Sequence, residues 1–171
     1  IFYLLFISTF LINSINFIDG LDGLLSSCMI VILSTISFVY FPEILPIVGG
    51  LIAFILFNWS PAKVFMGDGG STFLGAIFVG LILKVDNFAD AISILLLSTP
   101  LIMDTGICVL RRLVNKQSLT KAHKLHLFQR LNQSGWSHEK VSLTYLSATF
   151  LLCAGLITEN IFLKASFAIL V

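Results

Sequence analysis

Residues 24–41 read LLSSCMIVILSTISFVYF, a stretch without one charged side chain. That approaches the ~20 apolar residues an α-helix needs to cross a bilayer. Similar runs flank it: a partial one ending near Leu11, then Ile47–Trp59, Thr72–Val85, Ala91–Leu110, Val141–Ile157, and another that starts at Ile161. Two are short, so adjoining loop residues are expected to lengthen them. None alternates like a barrel strand, and lipid offers no partner to open backbone groups, so every run is expected to be helical. The fold class read from these runs is all-α, a polytopic transmembrane helical bundle of about six to seven spans, with the lipid bilayer as its partner.

Composition agrees. Hydrophobic residues make up 57% of the 171 positions and charged residues 11%, with a mean hydropathy of +1.02. Soluble domains carry about 25% charge, so this chain lacks the usual means of facing water. A net charge of +1 says nothing about nucleic acid, but no basic tail or Lys/Arg-rich arm is present, and no nucleic-acid partner is expected. Cys28, Cys108 and Cys153 sit inside apolar runs without metal-ligand spacing, as small buried hydrophobes do. Both ends fall within apolar runs and neither shows a signal-peptide pattern. The expectation is one transmembrane catalytic domain, residues 1–171, cut from a larger protein at both ends.

The loops sort into two kinds. Phe41–Pro46, Asp86–Asp90 and Thr158–Asn160 are short and acidic or neutral. Asn13–Gly23, Ser60–Ser71 and Arg111–Lys140 alternate with them, so these three are expected on one side of the membrane. Seven of the ten basic residues (Arg111, Arg112, Lys116, Lys121, Lys124, Arg130 and Lys140) lie in the last. Positive charge resists translocation, which makes that side cytoplasmic.

These three loops also hold the chemistry. NSINFIDGLDGL (residues 13–24) sets Asp19 and Asp22 three apart beside Gly20 and Gly23. If Asp19 opens a helical turn, both carboxylates share a face; the plainer alternative is a turn followed by a helix cap. VFMGDGGS (residues 64–71) places Asp68 between Gly67 and Gly69 just ahead of a span. Glycine-rich backbone at a helix start suits an anion, and the carboxylate suits a hard cation such as Mg²⁺. A capped turn explains either motif alone, but not their pairing on one face. KAHKLHLFQRL (residues 121–131), read as a helix, aligns His123, His126 and Arg130 as one stripe of phosphate donors. A zinc site or a solvated basic face are the alternatives there, although zinc favours tighter His/Cys spacing. Asp104 stands apart in an apolar run, about 10 Å along a helix from Arg111. An intramembrane carboxylate is expensive, so it is either a partner of Arg111 or Arg112 or a direct participant. Carboxylates with basic donors on one face describe phosphoryl transfer better than a proton path.

NSINFIDGLDGL, NWSPAKVFMGDGGSTFLG, PLIMDTGICVLRR and AHKLHLFQRL, in this order and spacing, resemble the polyprenyl-phosphate N-acetylhexosamine-1-phosphate transferases. The likeness covers essentially the whole chain. AHKLHLFQRL followed by GWSHEKVSLTY is more similar to the O-antigen-initiating branch than to the pentapeptide-transferring branch, which has consecutive histidines there. The resemblance implies that a UDP-linked N-acetylated sugar and a membrane polyprenyl phosphate meet at the cytoplasmic face of a bacterial plasma membrane. UMP leaves and a polyprenyl-diphospho-sugar forms, with Mg²⁺ as cofactor. By position it implies Asp68 as magnesium ligand, Asp19 as an essential carboxylate, and Asn16 as a polar contact nearby. It further implies Asp22 with Phe65 as the uracil pair, Gly67 and Arg130 as substrate contacts, and His123 and His126 on phosphate or sugar. The family's paired-aspartate motif is missing here and is expected upstream, so this stretch alone should be inactive. Oligomeric state stays open, a homodimer included. The rival class is a transporter or channel segment using Asp104 and the histidines as a relay; it calls for polar residues spread through the spans at the midplane.

Overall fold

The computed structural model describes residues 2–118 and 124–169, with side chains through residue 159. Among these residues all regular structure is helical: α1 (Phe2–Ile18), α2 (Leu24–Val39), a 3₁₀ turn (Pro42–Ile44), α3 (Leu45–Asn58), α4 (Gly67–Lys84), α5 (Phe88–Leu97), α6 (Thr99–Val114), α7 (Leu127–Gln133) and α8 (His138–Ile169).

Helix α2 is the axis of the bundle. It has no charge, and residues on every side of it are buried, from Leu24 and Leu25 through Cys28, Met29, Ile32 and Leu33 to Ile36. A helix apolar all round belongs in an interior. It packs along α8 and α3, while α1 packs along α4 and α6. Two of its hydroxyls close locally, Thr35 Oγ1 donating to the Val31 carbonyl at 2.9 Å and Ser27 Oγ to that of Leu24 at 3.2 Å. The outer faces are apolar as well: Phe2, Tyr3, Phe6, Phe38, Leu56 and Leu151 are all exposed. Soluble monomers seldom expose so much contiguous apolar surface.

The helices depart from the expected spans at four places. α1 continues through Asn13–Ile18, which the sequence reading assigns to a loop, because Asn13 Nδ2 and Ser14 Oγ each donate to the carbonyl four residues back at 2.8 Å. α4 begins at Gly67 instead of near Thr72, so Asp68 lies inside its first turn. The run Ala91–Leu110 is broken: α5 and α6 meet at 78°, with Pro100 in the first turn of α6. Proline lacks the N–H that would continue the preceding helix and crowds its carbonyls. Finally, Thr158–Asn160 is no loop. α8 runs through it, with Thr158 Oγ1 bonded to the Gly155 carbonyl at 2.8 Å, so two expected spans are one helix of 32 residues.

By length and composition, the stretch His138–Glu159 of α8 can cross a membrane, and α5 with α6 makes a second if the bent pair is one span. Phe2–Ile18, Leu24–Val39 and Pro42–Asn58 are apolar but shorter.

The two ends of the bundle differ. At one, Lys84 pairs with Glu43 at 2.5 Å and Tyr40 donates to Asp90 at 3.4 Å, joining the short acidic connections. The other end gathers the motif segments.

Helices α1 and α4 approach closely at Gly75, where a Cβ would meet the Ile12 Cα and carbonyl oxygen at 3.0 Å. Neither atom can move without moving the helix. Gly75→Leu in the full-length protein should therefore cost about 1–3 kcal/mol and lower the detergent melting temperature. Gly80→Ala, with open space around its Cβ position, should leave it nearly unchanged. Equal melting of both variants and the wild type would disprove this close packing.

Candidate active site

The turn after α1 closes tightly. Asp19 N–H donates to the Asn16 carbonyl at 3.1 Å and Gly20 N–H to that of Ile18 at 2.8 Å. Asp19 therefore closes α1 and does not open a helical turn, so it shares no helical face with Asp22. Its carboxylate lies beside the Gly67 backbone N–H, which favours its charge, and close enough to Asp68 to feel that charge. Gly67 has φ +67°, a left-handed backbone that glycine adopts without a Cβ clash. Next along the same contact, Ser71 Oγ donates to Asn16 Oδ1 at 2.5 Å. The first two segments are thereby locked together.

Burial pushes the Asp19 carboxyl up from 3.8 to about 6; the Gly67 N–H opposes this and the Asp68 charge adds to it. Asp68 is exposed in the first turn of α4, where the free N–H groups favour negative charge. Two adjacent carboxylates, one half-buried and one exposed, are hard oxygen donors.

Asp22 has other work. Its Oδ2 accepts the Ala62 N–H at 3.2 Å and lies 3.2 Å from His138 Nδ1 at the start of α8. Its carbonyl takes the Ser142 hydroxyl at 2.9 Å. Neither a shared face with Asp19 nor a helix cap describes it, since Gly23 is the α2 N-cap and makes no side-chain cap bond. Buried Asn58 secures the next loop: it accepts from Ser26 Oγ at 2.6 Å and donates to the Val64 carbonyl at 3.0 Å. The loop so held carries Phe65, whose ring is 72% exposed and available for stacking.

The third segment is not one helix. His126 has an extended backbone (φ −60°, ψ 150°) as the N-cap of α7, so it does not share a helical stripe with Arg130. His123 lies outside the described residues. His126 is buried, its ring 6.0 Å from that of Phe17 on α1 and stacked 5.7 Å from Phe128. Asp104 is no partner of Arg111 or Arg112. It accepts the backbone N–H groups of Leu127 (2.6 Å) and Phe128 (3.2 Å) and the Tyr145 hydroxyl (2.7 Å). Buried Arg112 turns instead to the Ser118 carbonyl. Arg111 and Arg130 border a cavity of 440 Å³ between α6, α7 and α8, lined otherwise mainly by apolar residues such as Pro100, Met103 and Leu127.

Sequence reasoning left Asn58, Ser71, His138 and Tyr145 without roles. Asn58 and Ser71 lie inside the quoted motif of residues 58–75, the one signal that pointed near them. His138 and Tyr145 lie inside the quoted stretch GWSHEKVSLTY, residues 135–145, but nothing local in it pointed to their partners.

Magnesium binds through one or two carboxylates and completes its shell with water and substrate phosphates. Asp68 with Asp19 fits that need. Among the described residues no three His, Cys, Asp or Glu side chains gather as a protein-only metal cage would require.

A family model described as glycosyl transferase family 4 matches residues 1–86, half of the chain. The chain belongs to that family. It is 37% identical over 148 residues to the probable undecaprenyl-phosphate N-acetylglucosaminyl 1-phosphate transferase of Bacillus subtilis strain 168, covering 78% of this chain and 41% of that protein. It is 29% identical over 157 residues to the phospho-N-acetylmuramoyl-pentapeptide-transferase of Carboxydothermus hydrogenoformans, covering 86% and 47%. The same enzyme of Latilactobacillus sakei is 30% identical over 159 residues, covering 84% and 48%. The chain spans less than half the length of these relatives.

Without divalent cation, Asp19 should titrate near pH 6, well above the ordinary 3.8. Carboxyl ¹³C NMR of the full-length protein should show this resonance, lose it in Asp19→Asn, and move it to lower pH in Asp68→Asn, which removes a neighbouring negative charge. An Asp19 resonance titrating near pH 4 would refute the burial assigned to it.

Proposed function

We propose that this chain carries most of the active site of a magnesium-dependent phosphoglycosyl transferase. That enzyme moves an N-acetylhexosamine 1-phosphate from a UDP-sugar to a polyprenyl phosphate such as undecaprenyl phosphate, the opening step of a cell-envelope polysaccharide. The observation that carries the reading is the junction of Asp19, Gly67 and Asp68 at the start of α4, with Asp22 and His126 on the adjoining segments. Family membership and the two kinds of named relative support it.

In this reading a lipid-phosphate oxygen attacks the β-phosphorus of the UDP-sugar. The new O–P bond forms as the bond to the bridging oxygen breaks, and UMP leaves with that oxygen. Bound to Asp68 and Asp19, Mg²⁺ would neutralise charge on the diphosphate. Gly67 and its neighbouring N–H groups favour the anion at a helix start. His126 and Arg130, with His123 from the stretch outside the described residues, supply cationic or N–H donors to phosphate or sugar. Phe65 stacks on uracil while Asp22 accepts its N3–H. Asn16, oriented by Ser71, supports Asp19.

The enzyme sits in the bacterial plasma membrane as a multi-pass protein, with the motif segments on the cytoplasmic side that the basic residues mark. The reading admits a homodimer. A proton or ion relay lacks support, because the Asp104 carboxylate accepts from donors on α7 and α8 and the cavity it borders is lined mainly by apolar groups.

The decisive assay is UMP release by the full-length protein from UDP-N-acetylglucosamine and undecaprenyl phosphate with and without Mg²⁺. Asp68→Asn should lower the rate at least about 100-fold while the protein still accumulates in membranes, since the amide keeps shape but loses the charge that holds a hard cation. Wild-type turnover in that variant removes Asp68 from the mechanism.

Base recognition has its own test. In Asp22→Asn the amide oxygen can still accept from Ala62, but the uracil N3–H competes with an N–H₂ group for an acceptor. Preference for UMP over CMP in competition against labelled UDP-sugar should fall about tenfold. An unchanged preference would leave Asp22 as a loop anchor alone.

A further inference from the structure

Asp104 is the one buried carboxylate that the proposed reaction leaves unused. It is 5% exposed, on α6, and three donors reach it from α7 and α8, with the His126 ring beside it. Oδ1 takes the Leu127 N–H at 2.6 Å and lies 3.6 Å from His126 Nδ1, an ion-pair separation. Oδ2 takes the Phe128 N–H at 3.2 Å and the Tyr145 hydroxyl at 2.7 Å. An ionised carboxylate has about four acceptor positions, and three of them are taken by hydrogen bonds from the protein, with the His126 ring facing the group as well. Buried and so engaged, it acts on the reaction through another residue.

That residue is His126. The two N–H groups Asp104 holds are the first of α7, directly after His126, so the carboxylate sets where the histidine leaves the α7 backbone. Facing Nδ1, it also sets the ring, because the two nitrogens of imidazole lie on different edges and fixing one aims the other. On the opposite side α7 is docked on the first motif segment. The Phe128 ring lies against Gly20, where a Cβ would come within 2.9 Å of it, and the His126 ring faces Phe17. Asp104 thus links three helices to one imidazole at the edge of the Asp19–Asp68 junction.

We propose that Asp104 is a positioning residue for the transfer reaction, holding α7 and the His126 ring in the orientation that meets the phosphates, with Tyr145 completing its shell. This rests on the role given to His126 above. A purely structural carboxylate would affect how much protein folds; a positioning one affects turnover per folded site, and only through His126.

The test is a double-mutant cycle in the full-length enzyme, with active sites counted by UMP binding. Asp104→Asn keeps an oxygen for the Leu127 N–H and loses the charge facing His126. It should lower kcat per site about 10–100-fold with KM for the UDP-sugar within about twofold. In a His126→Gln background the same change should cost less than about threefold. Tyr145→Phe removes one donor while keeping the ring packing, and should lower kcat about two- to fivefold, again without further cost beside His126→Gln. If Asp104→Asn does not accumulate, the Tyr145→Phe cycle decides. Wild-type kcat in Asp104→Asn, or losses that multiply in the double variants, would overturn the proposal while leaving the role of His126 intact. Wild-type turnover in His126→Gln alone would remove the histidine, and the proposal with it.

Discussion

Helices α1 and α4 run antiparallel at near-backbone contact, and the site depends on that contact. Ile12 faces Gly75 without a side chain between them. About one turn on, Asn16 meets Ser71, and one turn further Asp19 meets Gly67. Each step moves forward along one helix and back along the other, so a single close approach sets the register of every pair beyond it. Helices in an apolar setting gain little from burying more apolar surface; they associate through small residues and interhelical hydrogen bonds. Gly75, Ser71 and Gly67 supply both. A side chain at Gly75 would separate the helices where the two carboxylates must be neighbours.

That geometry has an electrostatic consequence. Asp19 is drawn into a half-buried place that disfavours its ionised form, beside a second carboxylate that disfavours it further, and a lone backbone N–H only partly offsets both. Such strain is maintained by the surrounding packing, and a cation between the carboxylates would relieve it. Asp104 faces the opposite situation. It is more deeply buried, yet two backbone N–H groups and a hydroxyl donate to it. One carboxylate is left with little compensation for its charge; the other has donors on α7 and α8 to hold it ionised.

The basic and aromatic parts of the site come from segments that meet only at this end of the bundle. Asn58 fastens the loop bearing Phe65 to α2, and Asp22 fastens the same loop and the first residue of α8 to the turn after α1. Polar side chains that cross between segments here replace the apolar contacts that organise the rest of the bundle.

Helical class and the gathering of the Asp19, Asp22 and Asp68 segments at one end of the bundle were legible in the amino-acid sequence, because apolar run length and Gly/Asp spacing are local properties. Helix continuity was not always so. Whether Thr158–Asn160 turns or continues depends on back-bonding of Thr158 and on the partner of α8, whereas the bend at Pro100 has its cause in a residue the sequence displays. The helical stripe expected to carry His126 with Arg130 failed for a tertiary reason: the Asp104 carboxylate, remote in sequence, captures the N–H groups of Leu127 and Phe128 and starts the helix one residue after His126. Sequence by itself determined which residues are too polar for an apolar bundle and so had to find partners or a ligand. Tertiary structure alone decided which of them did find partners, since a carboxylate's donors come from whichever backbone the fold brings within 3 Å or so.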